Sequence, residues 1–230
     1  LQEVTPNSLQ ILMDSLFIVD NYYFSLTEMT QCYDTLILVN NTKFNVINTN
    51  IYDFGESGHS MMGRGYHHME IEFKFGDEHL NIVTSHLESE FKKDAKNKLY
   101  QYKYILDKFK NTENVVFAGD LNIPNYQSGY YDKIAKNMKW FDSWIEMSKT
   151  IPKDYAEDIR WTYDCNKNSH RGGSRKNNHS RLDRVLYKNA KFTISAMQLI
   201  GTDKSVHDYE QDKHHHPSDH FGLLCDFQMV

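Results

Sequence analysis

Asn114-Val115-Val116-Phe117-Ala118-Gly119-Asp120-Leu121-Asn122-Ile123-Pro124 is the stretch around which the rest of the chain is organised. Val115 to Ala118 form a continuous apolar run bounded by turn residues, the pattern of a short strand covered on both faces. Gly119 is expected to give the backbone a sharp exit at the strand end, presenting Asp120 and Asn122 two residues apart. Taken alone, Gly-Asp-x-Asn also spells an ordinary polar turn. The reading therefore depends on what the other strand ends carry.

The 230 residues suffice for a substantial core, and 40% hydrophobic with 25% charged residues is an ordinary soluble composition. No run approaches the length of a membrane span and no signal-peptide core is visible, so no membrane partner is expected. Leu1, not Met, reads as part of a strand end, so the chain is expected to be a fragment with any targeting signals upstream. Cys32, Cys165 and Cys225 are far apart and odd in number. Reduced thiols and an intracellular setting, nuclear or cytoplasmic, are expected, rather than a disulfide scaffold or a Cys-based zinc site. The net charge of −5 excludes a protein basic throughout, yet residues 166–181 hold five Lys or Arg, two His and no acid. Gathered positive charge of this kind can meet phosphates, although a basic run with Gly-Gly and Asn-Asn also describes a solvated loop.

Thr5 followed by Pro6 signals a helix start, and Leu9, Leu12, Leu16 and Phe17 predict one amphipathic helix over 6–18. Strands are expected over 33–40 and 44–53 around an Asn40-Asn41 turn, and over 68–75 and 80–85 around Gly76-Asp77. Phe91, Ala95, Leu99, Tyr102, Leu106 and Phe109 mark one face of a helix over 89–110, with Ser89 as its cap and Lys92, Lys93, Lys96 and Lys98 on a solvated face. A helix follows over 129–139, then an irregular stretch to Ile159. Further strands are expected over 181–187, 192–199 and 221–227, with 201–213 exposed and His214, His215 and His216 in an exposed loop. No repeat or linker interrupts the chain, and 1–230 reads as one domain. The mixture predicts an α/β fold of two packed sheets with helices outside and polar residues gathered at strand ends.

Those ends carry Glu3, His86, Asp120 with Asn122, Asp183, and Asp219 with His220. Oxygen ligands without a Cys cluster suit Mg²⁺, or Mn²⁺, better than Zn²⁺. Metal-assisted phosphodiester hydrolysis needs a metal to neutralise charge, a carboxylate to activate water and donors for the transition-state oxyanion. Glu3 suits the first, Asp120 the second, and Asn122, His86 and His220 the third. Asp219 is expected to orient the adjacent histidine. Arg64, between two glycines, can reach a phosphate.

Leu-Gln-Glu-Val at 1–4, Met-Met-Gly-Arg-Gly at 61–65, Thr-Ser-His-Leu-Glu-Ser at 84–89, Phe-Ala-Gly-Asp-Leu-Asn at 117–122, Arg-Leu-Asp-Arg-Val at 181–185 and Pro-Ser-Asp-His-Phe-Gly-Leu-Leu-Cys at 217–225 occur in this order. The chain thereby resembles the endonuclease/exonuclease/phosphatase superfamily over nearly its whole length, and within it the 5′-tyrosyl-DNA phosphodiesterase branch. The resemblance implies a four-layer α/β sandwich, two packed mixed sheets flanked by helices. It also implies Mg²⁺-dependent cleavage of the bond between a tyrosine and a DNA 5′-phosphate, as left by a trapped type II topoisomerase, in DNA repair. By position, Glu3 becomes the metal ligand and Asp120 holds the nucleophilic water. Asn122, His86 and His220 bind the scissile phosphate with Ser89, while Asp219 and Asp183 support them. Tyr33, Arg64, Tyr163, Arg181 and Leu182 match positions along the path of a single-stranded 5′ end, Tyr163 offering its ring where the family usually has Trp. A monomer is implied, and RNA-linked tyrosine is a further substrate to consider. The family's first strand, with its metal-site Asn, would lie upstream of Leu1, and the 166–181 loop matches the family in place but not in residues.

Two other functions compete. One is a different phosphodiesterase of the same fold, an abasic-site nuclease or a lipid or inositol phosphodiesterase. The other is a non-catalytic module that binds DNA ends, against which the intact Glu3, His86, Asp120, Asn122, Asp219 and His220 weigh.

Overall fold

A computed structural model describes residues 1–29, 31–89, 96–171, 178–188, 191–209 and 212–229. The chain forms two compact units, one of Leu1–Asn122, Met138–Trp140 and Leu186–Ala190, the other of Ile123–Asn137, Phe141–Val185 and Lys191–Val230.

In the first unit Thr5 caps α1 (Pro6–Asp14) through a reciprocal box with Ser8. The helix expected over 6–18 stops four residues early. Ser15 takes an extended conformation, ends α1 and starts a second short helix, α2 (Leu16–Asn21). Serine competes for backbone partners of this kind and favours caps over helix interiors. Val4 is tied to Asp34 by two backbone bonds of 2.9 Å and Leu1 exchanges bonds with Leu36, so the expected strand ends at 1–4 and 33–40 meet, through a bridge rather than a ladder. Tyr22–Phe24 (β1), which periodicity did not single out, pairs instead with Leu38–Asn40 (β2).

Phe44–Asp53 (β3), Gly65–Phe73 (β4) and His79–Ser85 (β5) form an antiparallel meander, and Val115–Asp120 (β6) lies parallel to β5. Lys96–Lys108 (α3) makes the crossover between them, as a parallel pair requires. The expected start of that helix, with Phe91 and Ala95, and two of its lysines, Lys92 and Lys93, lie outside the described residues. One side of the meander is closed by Ile37, Val39, Met69 and Ile71, packed against Phe44, Val46, Leu80 and Ile82.

The parallel pair explains Gly119. It has no left-handed backbone; a Cβ there would lie 2.0 Å from the carbonyl oxygen of Ser85. The glycine serves close approach of the two strand ends, and the sharp turn comes later, at Asn122 with φ 50°. Gly119→Ala should therefore destabilise by about 1–3 kcal/mol, as overpacking against a backbone atom does. A urea midpoint equal to that of the unsubstituted chain would contradict this contact.

The second unit holds α4 (Asn125–Asn137), β7 (Phe141–Asp142), α5 (Ser143–Met147), α6 (Lys153–Asp158), β8 (Tyr163–Asp164), β9 (His179–Ser180), the first residues, to Val185, of β10 (Asp183–Lys188), β11 (Phe192–Ile200), β12 (Val206–Asp208), β13 (Lys213–His215) and β14 (Gly222–Met229). The stretch before Ile159 is thus more regular than its sequence suggests. Asp142 makes α5 possible by accepting the N–H groups of Trp144 and Ile145. Strands β11 and β14 pair antiparallel along their length with one bulge between Ile194 and Ala196. His214 and His215 are strand residues paired with His207 and Val206. His216 is buried, accepting the Ser169 N–H on Nδ1 at 2.9 Å. The three histidines are therefore not one exposed loop.

Candidate active site

In the first unit the site grows from the ends of β5 and β6. Thr84 lies opposite Ala118 in parallel register, so His86 and Asp120 leave the sheet side by side. His86 Nε2 is 3.3 Å from Asp120 Oδ2, and the Leu87 N–H donates to the Asp120 carbonyl at 2.9 Å. Asp120 Oδ1 accepts the Asn122 N–H at 2.8 Å, while the Asn122 amide donates to the Leu87 carbonyl at 2.9 Å. These bonds hold Asn122 in its left-handed conformation, one that Asn tolerates better than most residues.

β4 runs antiparallel to β5, so its first residues arrive at the same edge, with Tyr66 opposite Ser85. Arg64 is buried there, its guanidinium 3.0 Å from His86 Nδ1 and 5.0 Å over the Tyr33 ring. A guanidinium only donates, so Nδ1 must accept and the proton of the neutral ring sits on Nε2. Arg64 thus sets the tautomer that leaves His86 a donor toward Asp120. Glu3 has φ 53°, an uncommon backbone for glutamate, between the Val4–Asp34 bridge and the 3.0 Å bond from Gln2 Nε2 to Thr84 Oγ1. Its carboxylate is largely exposed and lies 3.8 Å from His86 Nδ1. Two carboxylates therefore flank one imidazole, Glu3 on its Nδ1 side and Asp120 on its Nε2 side. Ser89 Oγ faces Met62 Sδ at 3.2 Å. Its expected capping role falls on residues outside those described.

In the second unit His220 Nδ1 lies 2.8 Å from Asp183 Oδ2. The carboxylate bonded to this ring nitrogen is that of Asp183, a partner the sequence did not pair with the histidine. Asp219 is half-buried. With Nδ1–H donating to Asp183, the ring is held in one orientation. Tyr163 meets the His220 ring edge-on at 5.3 Å and packs with Leu182 and Cys165 in a small buried cluster. Arg181, expected on the DNA path, is buried with one guanidinium nitrogen 2.7 and 2.6 Å from the two oxygens of Asp142. Burial and the like charge of Arg184 push the Arg181 guanidinium down from its ordinary value against the pull of Asp142, yet a guanidinium stays ionised in proteins and the pair remains ionic. Burial, with Asp142 and Asp226, pushes the Cys225 thiol up to about 12, which disfavours its thiolate.

Thr162 was not singled out by its sequence. It is fully buried, its hydroxyl accepts the N–H groups of Leu182 at 3.1 Å and Asp183 at 3.0 Å, and its carbonyl accepts the Phe221 N–H at 2.7 Å. It thereby fastens the residues beside both members of the Asp183–His220 pair. These partners are remote in sequence, so no local signal marks them. Thr162→Val leaves two buried N–H groups without their acceptor and should cost about 1–3 kcal/mol, most of it restored by Thr162→Ser. Equal urea midpoints for Val and Ser would contradict this role.

The model of the Endonuclease/Exonuclease/phosphatase family matches residues 1–220. Tyrosyl-DNA phosphodiesterase 2 of Bos taurus is 30% identical over 158 residues, covering 66% of this chain and 39% of that protein. The Gallus gallus protein of the same name is 27% identical over 237 residues, covering 100% of this chain and 58% of that protein. The chain thus spans between 39% and 58% of the length of these two relatives. A crystal structure of D. rerio TDP2 complexed with single strand DNA product superposes with a TM-score of 0.75 at 24% identity, covering 99% of this chain and 84% of that one. Truncated Caenorhabditis elegans TDP2 gives 0.72 at 20% identity, covering 98% and 82%. At such identities the likeness shows the fold, which is the α/β class expected.

Proposed function

This chain belongs to the endonuclease/exonuclease/phosphatase family, and from that premise we propose that it hydrolyses the bond between a tyrosine and the 5′-phosphate of DNA. The observation that carries the reading is that the family match over 1–220 includes an edge where Glu3, Arg64, His86, Asp120 and Asn122 converge. Catalysis in this family is metal-dependent. Glu3 is the proposed holder of Mg²⁺, or Mn²⁺, whose chemistry when bound is to offset charge on the phosphate and the leaving oxygen.

Asp120, fixed through both its carbonyl and its carboxylate, orients and deprotonates the attacking water. His86 donates from Nε2 because Arg64 occupies Nδ1, and Asn122 holds a further amide hydrogen beyond the one given to Leu87. His220, held by Asp183 at 2.8 Å, is the imidazole proposed as a further donor to a phosphoryl oxygen. The substrate proposed is DNA with a 5′-tyrosyl adduct on a single-stranded end.

Turnover of a 5′-phosphotyrosyl oligonucleotide should exceed, by orders of magnitude in kcat/KM, that of an abasic duplex and of bis-p-nitrophenyl phosphate. Preference for the abasic duplex would move the chain to the nuclease branch. Binding of the oligonucleotide without turnover of any of the three would favour a non-catalytic module.

A further inference from the structure

Helix α3 carries two polar residues on its buried face. Lys98 and Gln101, three positions apart, are both fully buried, where the sequence placed Lys98 on a solvated face. A buried ammonium is costly unless it is bonded. Lys98 Nζ donates to the Asn122 carbonyl at 2.6 Å. Gln101 Oε1 accepts the Glu88 N–H at 2.9 Å, and its amide donates to the His59 carbonyl at 2.8 Å and to Glu88 Oε2 at 3.3 Å. Glu88, itself buried, accepts the Met61 N–H at 2.8 Å and the Ser60 hydroxyl at 2.9 Å. The Ser60 hydroxyl in turn accepts the Arg64 N–H at 2.8 Å.

One turn of α3 therefore grips three segments. The first, 59–64, ends in Arg64; the second, 86–89, begins with His86; the third, 120–122, carries Asp120 and Asn122. The bonds named above fall on backbone groups and on Glu88. We propose that Lys98 and Gln101 are positioning residues that set the mutual registry of Arg64, His86, Asp120 and Asn122. The strained residue of the group, Asn122, is the one whose carbonyl Lys98 holds. Its φ of 50° places the amide for use while the ammonium fixes the peptide behind it.

This inference rests on the phosphodiesterase reading, and two measurements separate them. Lys98→Met keeps the volume and removes the donor. It should lower kcat on the 5′-phosphotyrosyl oligonucleotide by about 10²-fold with KM within about threefold, because misplacing groups by about an ångström costs that much. Lys98→Arg should recover kcat to within about tenfold of the unsubstituted chain, since a guanidinium can donate to the same carbonyl. Amide hydrogen exchange reads the grip without catalysis. Protection of the Leu87 and Asn122 N–H groups should fall by about tenfold or more in Lys98→Met while that of Val83 and Phe117 is unchanged.

A kcat within threefold, unchanged exchange at Leu87 and Asn122, or a uniform loss of protection across β5 and β6 would each overturn the proposal. Should Lys98→Met fail to fold, Gln101→Leu with the same readouts decides, its predicted local loss being at the Glu88 N–H. An unsubstituted chain that turns over no substrate sinks the phosphodiesterase reading, whereas the exchange pattern still decides the grip.

Discussion

Asp120→Asn should reduce turnover of a 5′-phosphotyrosyl oligonucleotide by about 10³–10⁴-fold, the scale on which a positioned general base contributes. The substitution preserves shape. An amide oxygen at the same place can accept the Asn122 N–H that Asp120 Oδ1 accepts at 2.8 Å, and the Leu87 bond to the residue 120 carbonyl is untouched. What disappears is the basic carboxylate beside His86 Nε2. Thermal stability should therefore stay within about 1 kcal/mol, the range of a conservative exchange that opens no cavity. Oligonucleotide binding, measured by fluorescence anisotropy, should be retained, since one negative charge next to a phosphate has been removed. Turnover above a tenth of that of the unsubstituted chain would remove Asp120 from the role of base.

The second large effect concerns stability. Asp142 is fully buried, accepts from Arg181 and Arg184, and caps α5 through Trp144 and Ile145. Arg184 is also held by Asp132 at 2.6 Å and by Ser128 at 2.7 Å. Asp142→Asn leaves two buried guanidinium groups with a single nearby acid, and breaking such a network should cost about 3–5 kcal/mol in a urea titration at pH 7. Burial pushes the Asp142 carboxyl up, but the charges of Arg181 and Arg184 outweigh it and hold the group below its ordinary value of 3.8. A carboxylate depressed in the folded state adds stability that is present above its unfolded pKa and lost as pH falls through the folded one. The penalty of Asp142→Asn should thus be full at neutral pH and shrink below about pH 4. A penalty under about 1 kcal/mol, or one independent of pH, would contradict the ionic account of this network.

The strands of the first unit were legible because each obeys a period or a turn signal of its own. Phe44–Asp53, His79–Ser85 and Val115–Asp120 alternate or run apolar between polar punctuation. Glu3, His86, Asp120, Asn122, Asp183 and His220 were legible for a related reason, since short motifs mark the places where strands end. The supports behind them were not. Lys98 and Gln101 look like the polar face of an amphipathic helix, and only their distant partners make that face the buried one. The same holds for Thr162 and for the Arg181–Asp142 pair, whose partners lie 20 and 39 positions away. Asp183 was named from its motif, but its 2.8 Å bond to His220, 37 positions away, carried no local signal. Gly119 was expected to turn the backbone sharply, whereas what it supplies is room for the Ser85 carbonyl.

Hydrolysis at phosphorus by water held on Asp120 has a direct isotopic test. A 5′-phosphotyrosyl oligonucleotide is incubated with the chain and Mg²⁺ in ¹⁸O water, and both products are weighed by mass spectrometry. One ¹⁸O in the oligonucleotide 5′-phosphate, with unlabelled free tyrosine, is the predicted result. Release of phosphotyrosine, internal cleavage of the oligonucleotide, or an uncut substrate would contradict it.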